Sequence, residues 1–101
     1  MTIGEWLDAR GAGVPPHLMQ RVREALGDKL AEDVSAAPER CAEAAAHIAD
    51  TLLAAGSTGR DSALSLLAAD ALVTFAFEAA ADAPARLQER AHAAMRTLAA
   101  D

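Results

Sequence analysis

Glu89 and His92 are the residues whose types and spacing come nearest to a ligand set in this 101-residue chain. Side chains three apart share a helix face, so Glu89-x-x-His92 offers one carboxylate and one imidazole to a single metal ion, the spacing used in helical di-metal proteins. Such a centre needs further carboxylates directed into the same core. Glu78 is the one residue placed to supply them, because Glu43, His47 and Glu89 fall on faces read as polar. The pair is therefore read as solvated, as are Glu43 and His47, and no metal or other cofactor is assigned. His17, His47 and His92 stand at a helix start or on outer faces, and none has a serine or cysteine partner marking a nucleophile. No catalytic residue is assigned. Cys41 is the only cysteine, which excludes an intramolecular disulfide and a cysteine-built zinc site and leaves a buried small hydrophobe as its role.

Two segments resemble parts of known families. Gly59-Arg60-Asp61-Ser62 is similar to the Asp-Ser start of the second helix in acyl and peptidyl carrier proteins, where the serine carries phosphopantetheine; here Ala63 replaces the usual leucine and the segment lies deeper in the chain. Leu66 to Glu78 resembles the Gly-Asp-Ala-Leu-x-Thr-x-Ala-Phe helix of trans-isoprenyl diphosphate synthases. Asp70, Ala71, Leu72, Thr74, Ala76 and Phe77 match, and Ala69 stands where that family has glycine. Those enzymes cluster magnesium ions on two aspartate-rich motifs; this chain has no Asp-Asp pair, so the resemblance carries no enzyme function. It implies a helix whose apolar face, with Phe75 and Phe77, can line a pocket for an isoprenoid or acyl chain.

The elements that would hold these residues are helical throughout. Alanine makes up roughly a quarter of the chain, β-branched residues are few and tyrosine is absent, so backbone preference runs to helix. Thr2-x-x-Glu5 has capping-box spacing. Gly11, Gly13, Pro15 and Pro16 form a linker into a second amphipathic helix carrying Leu18, Met19, Val22, Leu26 and Leu30, which Gly27 weakens. Pro38 and Glu39 open a third helix with a stripe of Cys41, Ala45, Ile48 and Leu52, closed by Gly56. After a Gly-Ser-Thr-Gly turn, Asp61 or a nearby Ser or Thr is expected to cap a long helix apolar over most of its circumference, with a polar track of Asp70, Thr74, Glu78 and Asp82. Such a helix is normally central. A last helix opens at Pro84 with Leu87, Ala91, Ala94, Met95 and Leu98 expected on its buried face. The expected fold is thus one all-α domain over residues 1–101, a bundle of about five helices at about 2–10, 16–32, 38–55, 60–82 and 84–99, the fourth central.

The formal charge of −6 and scattered basic residues exclude a nucleic-acid partner on this reading, and disfavour anionic membranes. Asp70 interrupts the most hydrophobic stretch, so no run reaches about 18 apolar residues. Glu5 and Asp8 fall where a signal peptide would be apolar, and the expected compartment is the cytoplasm. The function expected is that of a non-catalytic bundle acting through protein contacts, as a homo-oligomer or with another protein. Its basis is that the long helix needs cover on more sides than its neighbours supply. The alternative is a carrier of an apolar ligand. Leu72, Phe75, Phe77 and Met95 are the candidates for the interface or pocket, and Glu89 and His92 for a metal.

Overall fold

A computed structural model describes residues 1–56, 58–82 and 84–100, with the side chains at 84–88, 90, 94 and 100 left undescribed. The chain is all-α and 86% helical, well above the roughly one-third typical of globular proteins. Five α-helices are present among the described residues: α1 (Ile3–Arg10), α2 (Pro16–Leu26), α3 (Ala37–Ala55), α4 (Arg60–Ala81) and α5 (Pro84–Ala100).

α1 begins with a complete capping box: the Thr2 N–H donates to Glu5 Oε1 at 2.8 Å, and the Glu5 N–H donates to Thr2 Oγ1 at 3.1 Å. Donation to the carboxylate from the Thr2 backbone N–H, and then from the Thr2 side chain, holds the Glu5 carboxyl below its ordinary range. Just before α1, Ile3 N–H bonds to Glu32 O and Val34 N–H to Met1 O, each at 2.9 Å, pinning the chain start across the segment between α2 and α3.

The helix expected over 16–32 is shorter. α2 stops at Leu26, because Gly27 takes φ 54° and ψ −125°, a conformation that side-chain-bearing residues rarely adopt. Two 3₁₀ turns, Gly27–Ala31 and Val34–Ala36, then carry the chain to α3. The start of α4 differs as well. Its N-cap is Gly59, with no side-chain cap bond, and Asp61 lies inside the first turn, where its charge suits the positive end of the helix dipole.

The core is a cluster of Ile3, Trp6 and Leu7 from α1, Val22 and Leu26 from α2, Cys41 and Ala45 from α3, and Ala68, Leu72 and Phe75 from α4. α4 is central to it, packing on α3 and α2 and reaching α1 through an edge-to-face pair of Trp6 and Phe75, centroids 5.9 Å apart. Its cover is one-sided, however: Leu66, Leu67, Val73 and Phe77 all remain exposed. The expected buried stripe of α5 is a further difference. Ala91, Met95 and Leu98 are exposed, and Leu87 and Ala94 lie outside the described side chains. Among the described side chains of α5, Ala91, Met95 and Leu98 are not packed into the core, so amphipathic spacing alone did not bury them.

Candidate functional site

The site is the outer face of the α3–α4 hairpin. α3 ends at Gly56 in the left-handed conformation, and a short connection returns the chain as α4, so the two helices run antiparallel. Alanines dominate where they meet, which lets the backbones approach closely. The inner faces take Cys41, Ala45, Leu72 and Phe75 into the core. The outer faces carry a second set of residues at alternating three- and four-residue steps: Ala42, Ala46, Ala49 and Leu53 on α3, and Ala63, Leu66, Asp70, Val73, Phe77 and Ala80 on α4. That alternation is the seam pattern of helices that pack against one another in bundles and coiled coils.

All of these residues but Leu53 line an open groove of about 1090 Å³ running from Pro38 and Ala80 to Ala63. An adjoining depression continues it past Ala49, Leu52 and Leu53 to Thr58 and Ser62. The floor is alanine and the walls are large apolar side chains: Leu53 is 81% exposed, Phe77 74% and Leu66 61%. Contiguous apolar surface of this kind is uncommon on a monomer. Asp70 is the single charged residue lining the groove, and among the described residues no side chain pairs with its carboxylate.

The ion pairs lie elsewhere. Arg10 bonds Asp82 at 2.5 Å and lies 3.9 Å from Glu78, Arg23 pairs with Asp8, and Arg40 joins Glu32 at 3.0 Å and Glu43 at 2.9 Å. Polar stitching thus holds α1 to α2 and to the end of α4, and joins α3 to the segment before it. Two members of the polar track, Glu78 and Asp82, serve this internal pairing.

The four residues expected at the interface or pocket separate. Leu72 and Phe75 belong to the core, Phe77 stands on the groove wall, and Met95 lies on α5 beside His92, Arg96 and Ala99. Phe75 and Phe77 are two positions apart on a helix and so point to different sides. No single pocket contains Phe75, Phe77 and Met95 among the described residues. Leu53, Leu66 and Val73 were not singled out from sequence. The signal that could have found them is the seam spacing on α3 and α4, hidden because the inner face of the same helices is apolar too.

Glu89 and His92 are both exposed on α5, and among the described residues no three metal-ligating side chains come together. Cys41 is buried, and burial pushes its thiol up to about 11, so it is not a nucleophile at neutral pH. α4 is long and apolar enough to cross a membrane by length and composition despite Asp70, with 33% of that stretch buried. No family model, curated protein or solved structure matches the chain. Fold and site together define a class: a small α-helical bundle with an apolar, seam-patterned face left open.

Proposed function

We propose that this protein is a non-catalytic bundle that works through protein contacts, self-associating on the outer α3–α4 face. The observation that carries the reading is the exposed row of Leu53, Leu66, Val73 and Phe77 over an alanine floor, a surface that helix packing covers and water does not favour. Sedimentation equilibrium tests it. The wild type is expected as a dimer at micromolar concentration, and Phe77→Glu, which places a charge on the groove wall, as a monomer with unchanged helicity. A wild type that stays monomeric into the hundreds of micromolar overturns the reading.

A second reading rests on the volume of the groove, which lies just above the usual range of small-molecule pockets, and on its almost wholly apolar lining. On it the groove carries an isoprenoid or acyl chain. Its walls are exposed rather than enclosing, which favours a protein occupant. Titration with a fluorescent fatty acid or prenyl probe separates the two. Micromolar binding lost in Phe77→Glu supports the carrier, and no binding up to probe solubility removes it.

A further inference from the structure

Among the described side chains, helix α5 also leaves large apolar residues exposed. Met95 is 58% exposed and Leu98 75%, and its apolar positions Leu87, Ala91, Ala94 and Leu98 repeat the four-three-four spacing of Ala42, Ala46, Ala49 and Leu53. From Leu87 to Leu98 the stripe advances eleven residues, as do Leu66 to Phe77 on α4 and Ala42 to Leu53 on α3; each covers about 16 Å of helix axis.

Charge selects the same pairing. Residues 84–100 carry three arginines and one glutamate, a formal +2, whereas residues 1–83 carry six basic and thirteen acidic residues, a formal −7. The groove has Asp70 near its middle. Antiparallel pairing of two copies of α4 along the seam from Ala63 to Ala80 would set Asp70 close to the same residue of the other copy, two like charges in an apolar contact. A basic helix brings the opposite charge to that point. The chain's own α5 leaves Phe77 uncovered, and Asp82, which ends α4, is held by Trp6 and Arg10 two residues before α5 begins.

We propose that the groove between α3 and α4 receives α5 of a second copy, and that two copies exchange these helices reciprocally. This rests on the self-association reading above and names its contact. In the dimer, α5 of each copy lies along the groove of the other, with Leu98 and Met95 at one end of the Leu66-to-Phe77 wall, and the basic helix neutralises Asp70.

Phe77→Glu (groove lost, α5 intact) and Leu98→Glu (α5 lost, groove intact) test it, since both positions are largely exposed in the monomer and circular dichroism reports retained helix. Each variant alone is expected to be monomeric at concentrations where the wild type is dimeric. Mixed, they are expected to form a heterodimer through the one remaining good site, resolved by native mass spectrometry because the variants differ in mass. Asp70→Lys is expected to weaken the wild-type dimer at least tenfold. A Leu98→Glu variant that dimerises like the wild type overturns the helix exchange and leaves self-association standing. A monomeric wild type overturns both. If either glutamate variant loses helix, Phe77→Gln and Leu98→Gln replace it, and failure of that pair to complement overturns the exchange.

Discussion

The indole Nε1 of Trp6 donates a 3.0 Å hydrogen bond to Oδ2 of Asp82, 76 residues further along the chain. The same carboxylate accepts from Arg10, whose guanidinium also lies over the Trp6 ring, 5.3 Å from its centroid. One residue at the end of the longest helix is thereby fastened to the shortest.

That arrangement predicts a specific pH dependence. The Trp6 hydrogen bond, then the Arg10 bond, hold the Asp82 carboxyl below its ordinary value of 3.8. A carboxyl depressed in the fold contributes stability above its unfolded pKa, and that contribution is lost as pH falls through the folded value. The melting-temperature difference between wild type and Asp82→Asn should stay constant from neutrality to about pH 5 and shrink below about pH 4. A difference unchanged down to pH 2 would show that the charge contributes nothing.

The two phenylalanines should behave oppositely. Phe75 is 5% exposed against Trp6, and its truncation to alanine is expected to cost about 3–5 kcal/mol in chemical denaturation. Phe77→Ala should change the stability of the dilute monomer by no more than about 0.5 kcal/mol. Its effect should appear as a lost dependence of melting temperature on protein concentration.

Gly27 separates sequence propensity from tertiary fact. Were the helix continuous through it, Gly27→Ala would stabilise by up to about 1 kcal/mol. At φ 54° and ψ −125° the alanine is instead strained, and a loss of about 1–3 kcal/mol is expected. Urea melts of this single variant give the sign.

Cys41 should be silent to thiol reagents at pH 8 in the native protein and react fully once guanidinium unfolds it. Burial raises its thiol to about 11 from 9.0, so the thiolate forms first in the unfolded chain. Its contribution to stability is therefore present below pH 9 and falls as pH rises towards 11. Fast native labelling would mean that α3 opens locally.

Zinc, iron or manganese should leave the melting temperature unchanged, because Glu89 and His92 are two exposed ligands with no third group gathered to them among the described residues. A rise of several degrees abolished by His92→Ala would establish a metal site.

Local chemistry was legible in the residues themselves. The Thr2–Glu5 box, the prolines that open α2 and α3 and the glycine that closes α3 act within one turn of chain, and alanine content with three- and four-residue periodicity sets an all-α fold. Periodicity also marked α4 as apolar nearly all round. Which side of that helix is core was decided by tertiary packing: Leu72 and Phe75 are buried in the core cluster, whereas Leu66, Val73 and Phe77 obey the same spacing and meet solvent. A stripe gives direction about the helix axis but not the neighbour that fills it. The same reason applies to α5, where Met95 and Leu98 have the pattern of a buried face and are nevertheless exposed. The break at Gly27 and the Trp6–Asp82 bond were likewise hidden, because each depends on where distant segments meet and burial energy favours whatever surface the fold brings close.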